Sequence, residues 1–437
     1  MELFFLIFGA TGDIHKKKIY YSLFNFWKNK INEKMKLLCI SRKHYTQNDF
    51  KQYVKDILNI MNNDLLKFFK YSDINELNND INKFTDNIIF IKGNYDDINT
   101  CIKIKKTIYE NSINPSIISY HGVPDFISIQ ISENLFKIFQ YDNIKILLEK
   151  PIGVDLDKYR IYKDILNKYD INKFYFIDHY LNKQKLSLFN TIENLSSYIN
   201  QYYEIEINIL ENNDIDNRLE YFLSQGLLND MFQSHINSIL KILFGNIIFT
   251  DNFELINVVI GQYESDNITD PNIDTYFKII YKYNDLKIII NCGKKMKIKE
   301  KNIIFKIKKN NYGNVNEEKL INSVIDIDDN DIADNDNNIN DSSNIENTDT
   351  NEENTNIDDV NILNNLCLKK IMDTNIHYVY NFEHDYGYLT DYYHIFLDCY
   401  NNNKNNFIST ENMELYWQNV NNIKTYIENN NIKTFIY

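Results

Sequence analysis

The chain opens on an unbroken apolar run, Leu3 to Phe8, that stops at Gly9 and gives way to apolar positions at helical spacing, Ile19, Leu23, Phe24 and Trp27. A short apolar run closed by glycine reads as a buried strand, and the periodicity after it reads as an amphipathic helix. The segment therefore predicts strand, tight turn and helix. Lys36 to Ser41, Ile88 to Ile91, Ser116 to Tyr120 and Ile144 to Leu148 repeat the apolar run, with helical stretches between them. Strands alternating with helices predict an α/β domain over residues 1–172, a doubly wound parallel sheet of the Rossmann type.

From Lys173 the pattern changes. Phe174 to Ile177 reads as a strand and Lys183 to Ile199 as a helix; Tyr202 to Leu210 alternates like a long antiparallel strand, and Leu219 to Phe244 has the spacing of one long helix. Leu255 to Ile260, Tyr276 to Tyr283, Leu286 to Asn291 and Asn302 to Lys308 then supply strands without helical crossovers. Residues 173–437 are thus expected to form an α+β domain on a large, mostly antiparallel sheet. Two last helices, Asp391 to Tyr400 and Met413 to Glu428, are expected to pack back on that sheet. No internal repeat is found.

A length of 437 residues suits two such domains, each able to bury a core without disulfides. Cys39, Cys101, Cys292, Cys367 and Cys399 are scattered and odd in number, so no disulfide framework and no metal site is indicated. A reducing, cytoplasmic setting is expected. The opening apolar run is short and preceded by Glu2, unlike a signal peptide. No stretch approaches the roughly 20 apolar residues needed to cross a bilayer, so no membrane partner is expected.

The formal charge of −14 is concentrated: between Lys319 and Lys369 there is no Lys or Arg, while Asp326 to Asp359 supply 13 acids. The remainder is close to neutral, and no nucleic-acid partner is expected. An acidic, Asn-rich segment at about 322–360 buries too little to offset its ordering entropy and is expected to be a disordered insertion. An acidic partner-binding loop is the competing reading.

Gly9 and Gly12, between the first strand and helix, let a backbone turn approach a pyrophosphate. Where NAD-binding proteins carry an acid at the end of the second strand, this chain carries Arg42 and Lys43. Two cations there suit a 2'-phosphate and hence NADP; an exposed basic turn is the plainer alternative.

GATGDIHKKKIY at Gly9 to Tyr20, LLEKPIG at Leu147 to Gly153 and IDHYLNK at Ile177 to Lys183 together resemble the glucose-6-phosphate dehydrogenase family. RLEYFLSQGLLNDMFQSHINSIL at Arg218 to Leu240 resembles its helix with the catalytic histidine, and NCGKKM at Asn291 to Met296 its strand with a sugar-binding lysine. The resemblance implies oxidation at C1 of glucose 6-phosphate, with His235 as the base and Asp178 as its carboxylate. It implies that His179, Tyr180 and Lys183 grip the 6-phosphate and that Lys150, Glu211, Asp230, Lys294 and, more loosely, Lys299 meet the sugar. It further implies NADP held by Gly9, Thr11, Gly12, Asp13, Lys18, Arg42, Lys43, Pro124 and Lys150, a cis peptide at Pro151, and a homodimer or homotetramer. A second, structural NADP site and a fused lactonase domain are not expected.

This chain departs from the family pattern at several positions. His15 replaces a small residue, Asn182 a glycine and Phe176 an arginine, while YHGVPD at Tyr120 to Asp125 replaces a more apolar segment ending in two prolines. Two other functions compete: a different sugar-phosphate dehydrogenase of similar plan, and a catalytically impaired or non-catalytic paralogue. The latter would be expected to lack His235 or Asp178, and both are present.

Overall fold

The computed structural model describes residues 2–31, 34–139, 143–187, 189, 199, 201–215, 219–265, 267–268, 270, 272–308, 368–372, 375–382 and 386–437. The acidic segment at 322–360 and most of the helix expected over 183–199 lie outside them, apart from a short helix at Gln184–Ser187. No described helix is long and apolar enough to cross a membrane, and Cys39, Cys101, Cys292 and Cys399 are buried free thiols.

The first sheet has six strands: β1 Glu2–Phe8, β2 Met35–Ser41, β3 Ile88–Lys92, β4 Pro115–His121, β5 Ile144–Leu148 and β6 Phe174–Phe176. Their order is β3-β2-β1-β4-β5-β6, and every pairing is parallel, with Leu6 opposite both Leu38 and Ser119. Helices cover both faces of such a sheet, which is why its strands read as continuous apolar runs. The winding reverses between β1 and β4, and doubly wound sheets bind ligands where the order reverses, beyond the strands' carboxyl ends. Here those ends deliver Gly9 and Gly122 side by side.

The sequence pattern set Phe174 to Ile177 beyond the first sheet, but Tyr175 pairs in parallel with Leu147 as part of β6. All three residues of β6 are buried, as a strand covered on both faces requires. The chain leaves this sheet at Phe176, so Asp178 to Lys183 emerge at the same end as the glycine turn.

The second sheet comprises β7 Glu204–Leu210, β8 Phe253–Gln262, β9 Tyr276–Tyr283, β10 Leu286–Gly293, β11 Glu300–Lys308, β12 Leu368–Met372, β13 Asn375–Asn381 and β14 Phe435–Ile436. It runs β12-β13-β11-β7-β10-β9-β8-β14. It is mostly antiparallel, but β7, expected to be wholly antiparallel, pairs in parallel with β10 and antiparallel with β11. Alternation marks a half-covered face and is silent about the direction of neighbours.

The helix expected over 219–244 is broken. Gly226 has φ of 67°, and a Cβ there would lie 2.3 Å from Asp274 Oδ1. Asp274 occupies the gap: its carboxylate accepts from Leu228 N at 2.6 Å and its carbonyl from Leu227 N at 2.9 Å, which satisfies the donors of the restarted helix.

Of the two late helices, only one packs as expected. Thr410–Asn429 buries Met413, Trp417 and Val420 in the core shared with the second sheet, and Trp417 Nε1 donates to Ile152 O at 3.0 Å. Gly387–Tyr400 instead returns to the parallel sheet, where Leu389, Tyr392, Ile395, Phe396 and Cys399 join Leu3, Phe5 and Ile7 of β1 in one core. The Phe5 and Phe396 rings meet edge-on at 5.3 Å. Lys145 in β5 donates to the carbonyls of Cys399 at 2.7 Å and Tyr400 at 2.9 Å, a cation on the negative end of that helix. The helix's apolar stripe could serve either sheet; the uncovered face of β1 claims it.

Candidate active site

Asp178, fully buried, stands just past the end of β6, where its own turn orients it: Oδ1 accepts from Tyr180 N at 3.0 Å. The facing helical segment Leu228–Ile236 carries His235, whose Nδ1 lies 2.5 Å from Asp178 Oδ1. Ser238, three residues on, donates to Asp178 Oδ2 at 2.6 Å. That segment winds more loosely than an α-helix, a feature found at functional sites. Burial holds the His235 imidazole below its ordinary range, although the Asp178 charge works in the other direction. Burial also opposes the Asp178 charge, but His235, Ser238 and the Tyr180 amide outweigh it and keep the carboxyl below its usual range. The result at neutral pH is a carboxylate accepting Nδ1–H and a neutral imidazole with a basic Nε2.

Above this pair the sequence-predicted phosphate group converges. The Tyr180 ring stacks on His235, and His179 meets His235 edge-on at 4.7 Å between centroids. Lys183 is buried, with Nζ 5.2 Å from the Tyr180 ring centroid. Burial lowers the basicity of His179 most, and Lys18, His235, Lys183 and Lys150 push it down further. Asp178, His179 and His235 present ligand atoms within 4.8 Å of one another. With three lysines pressing on His179, the region favours an anion over a metal ion.

The residues expected to meet the sugar form two groups. Lys150, joined to Pro151 by a cis bond, has Nζ 2.5 Å from Asp230 O and 3.2 Å from Asp230 Oδ1, and Tyr221 donates to the same oxygen at 3.0 Å. Glu211 at the end of β7 is bonded to Lys294 and lies 2.9 Å from Lys301. Although burial opposes its charge, those two lysines lower its carboxyl to about 2. Lys299 is exposed just before β11; the lysine beside Glu211 is Lys301, one strand repeat further on.

At the nucleotide end, Gly9 has φ of 79°, and a Cβ there would fall 2.4 Å from Gly122 O. Thr11 Oγ1 and Lys43 N each lie 3.1 Å from Ser41 Oγ, tying the glycine turn to the end of β2. Arg42 and Lys43 are exposed there, the guanidinium 5.4 Å from the Tyr95 ring centroid. Asp13 pairs with Lys16 at 3.6 Å, and Pro124 precedes the helix Asp125–Ile138. Lys18 lies 3.7 Å from Asp391 and over the Tyr392 ring. The side-chain-free cradle at Gly9 and Gly12, with cations beside it, fits a dinucleotide phosphate.

Residues 6–187 match the family described as glucose-6-phosphate dehydrogenase, NAD binding domain. This stretch is similar to the nucleotide-binding domain of glucose-6-phosphate dehydrogenases. The chain is 31% identical over 262 residues to glucose-6-phosphate 1-dehydrogenase of Borreliella burgdorferi, covering 54% of this chain and 48% of that one. It is 26% identical over 374 residues to the bifunctional glucose-6-phosphate 1-dehydrogenase/6-phosphogluconolactonase of Plasmodium falciparum, covering 64% and 40%. The chain thus spans about half, or less, of the length of these curated relatives. A solved glucose-6-phosphate dehydrogenase in complex with its substrate glucose-6-phosphate superposes with a TM-score of 0.71 at 17% identity, covering 100% of this chain and 94% of that one. Glucose-6-phosphate 1-dehydrogenase from Mycobacterium avium gives 0.69 at 15%, covering 100% and 93%. At such identities these likenesses show the fold.

Several residues of this site went unread in the sequence. Ser238 carried a signal, one helical turn from His235. Lys301 stands two residues beyond Lys299, inside β11, so only the start of the strand separates them. Tyr392, whose ring lies parallel to His179 at 6.3 Å, and Glu149, which accepts from Tyr120 at 2.9 Å and Tyr392 at 2.7 Å, depend on where Gly387–Tyr400 docks.

Proposed function

We propose that this chain oxidises D-glucose 6-phosphate to 6-phospho-D-glucono-1,5-lactone with NADP. The observation that carries the proposal is the buried Asp178–His235 contact at 2.5 Å, with Lys183 and His179 beside it. Asp178 fixes the tautomer, so His235 Nε2 receives the proton of the C1 hydroxyl, and the carboxylate then stabilises the imidazolium. Lys183, His179 and Tyr180 hold the phosphate dianion by charge-assisted contacts from one rigid turn. Lys150, Asp230, Glu211 and Lys294 orient the sugar hydroxyls and hold C1 in register with the base. A nicotinamide dinucleotide, when bound, accepts the hydride from C1. The exposed pair Arg42 and Lys43 suits the 2'-phosphate that distinguishes NADP.

The test is NADPH formation at 340 nm by the purified chain with glucose 6-phosphate, compared with unphosphorylated glucose and with NAD. His235→Asn should lower kcat by about 100- to 10,000-fold with glucose 6-phosphate binding nearly intact. More than about a tenth of the wild-type rate remaining would remove His235 from the role of base. Sedimentation of the same preparation measures the homodimer or homotetramer that forms part of this reading.

A further inference from the structure

The two groups of residues expected to meet the sugar are joined by one dipeptide, Asp274–Thr275, just ahead of β9. On one side, the buried Asp274 carboxylate accepts from Leu228 N at 2.6 Å and its carbonyl accepts from Leu227 N at 2.9 Å. These donors stand at the start of the segment Leu228–Ile236, which carries Asp230 and His235. On the other side, Thr275 O accepts from Lys294 N at 2.9 Å, and the Tyr437 hydroxyl, which donates to Lys294 O at 2.7 Å, lies 3.2 Å from Thr275 Oγ1. The dipeptide is itself anchored to the end of β8, where Thr275 N donates to Gly261 O at 2.9 Å and Thr275 Oγ1 accepts from Tyr263 N at 2.8 Å.

Asp230 lies in the first turn of the capped segment. Lys150 meets it through the backbone carbonyl as well as the carboxylate, so the path of the backbone at the start of the segment decides where the Lys150 ammonium stands. His235, later in the segment, is held separately by Asp178. The thiol of Cys292, buried near the end of β10, is acted on by the charges of Lys294, Glu211, Asp230 and Asp274 alike. Both sugar-side groups and the link between them therefore close round one point. Only a glycine at position 226 admits the link, since a Cβ there would come 2.3 Å from Asp274 Oδ1.

We propose that Asp274 is a positioning residue for the sugar: by capping Leu228–Ile236 it sets Asp230, and through it Lys150, against the Glu211–Lys294 group, so that both groups grip one hexose. The inference rests on the glucose 6-phosphate reading above. Asp274 acts through Asp230 and Lys150 without itself meeting the sugar.

Calorimetry of glucose 6-phosphate binding to wild type, Asp274→Asn and Asp274→Ala tests it, with thermal melts to confirm that each is folded. Asp274→Asn keeps an oxygen for Leu228 N and should bind within about threefold of wild type, whereas Asp274→Ala should bind roughly 10- to 100-fold more weakly, the scale of a small misplacement. At saturating glucose 6-phosphate the alanine variant should keep kcat within about fivefold, because His235 retains Asp178 and the loss falls on binding. Gly226→Ala drives a methyl group against Asp274 Oδ1 and should reproduce the alanine variant, which keeps the test open where Asp274→Ala does not fold. Binding by Asp274→Ala as tight as wild type overturns the inference, as does binding by Asp274→Asn as weak as that of Asp274→Ala. A fall in kcat with binding intact also overturns it, and failure of both Asp274→Ala and Gly226→Ala to fold would reduce Asp274 to a structural cap. A wild type that binds glucose 6-phosphate without oxidising it would sink the oxidation reading and leave this one standing; one that binds none overturns both.

Discussion

The ring of Tyr180 lies nearly flat on the imidazole of His235, with centroids 4.1 Å apart and planes inclined by 19°. Asp178 fixes one edge of that imidazole and Tyr180 fixes its face, so the direction of Nε2 is set by two contacts made from the same turn. Tyr180→Phe keeps the stacked ring and should hold kcat within about threefold of wild type, whereas Tyr180→Leu should lose about tenfold or more through misplacement of the base. Steady-state kinetics of the two variants decide this, and equal kcat values would show that the stack has no orienting role.

Lys183→Ala is expected to raise KM for glucose 6-phosphate more than it lowers kcat, because contact with the phosphate exists in both the ground and transition states. The buried position of Lys183 strengthens the expectation, since its charge is little screened. An equal loss with unphosphorylated glucose would contradict it.

Arg42→Ala should reduce the preference for NADP over NAD by removing a charged contact worth on the order of 1.5–3 kcal/mol. The guanidinium is exposed at the end of β2 and rests over Tyr95, so the fold should survive the change. The ratio of kcat/KM for the two cofactors is the measurement. If both fall together, Arg42 serves the backbone turn instead.

His15, in the helical turn after β1, and His121, at the end of β4, are each lowered by burial from 6.5 to about 3. The unfolded chain therefore binds protons that the folded chain refuses between those values. Stability is expected to be fully present above about pH 6.5 and to fall on acidification, by up to about 1.4 kcal/mol per pH unit for each histidine. Urea melts at pH 7, 6 and 5 measure the slope, which His15→Ala should make shallower. The rate should fall in the same direction, since a protonated His235 cannot act as a base. Burial places that acid limb below the ordinary histidine range.

The sequence was most legible where one local pattern decided the outcome. Five strands of the parallel sheet are buried on both faces and read as apolar runs, and β9 lies where its alternation put it, Tyr276–Tyr283. The His235, Asp178, Lys150 and Glu211 groupings followed from matched motifs. What escaped was decided between distant segments. Pairing direction at β7 depends on β10, some 80 residues away. The break at Gly226 depends on the Asp274 carboxylate, and the role of Tyr392 on which sheet a late helix covers.

That late helix has a consequence for the order of events during synthesis. β1 is translated long before part of its cover, since Leu3, Phe5 and Ile7 share a core with Leu389, Ile395 and Phe396. An N-terminal nucleotide-binding unit would ordinarily fold as soon as its own strands had emerged. Here one wall of that unit is unfinished until Gly387–Tyr400 has been translated, and closing it requires contacts across more than 350 residues of sequence, such as Ser22 to Tyr388. Contacts so remote are slow to form. A chain cut short ahead of Gly387 would leave Phe5 and Phe26 without the rings of Phe396 and Tyr400 that pack on them.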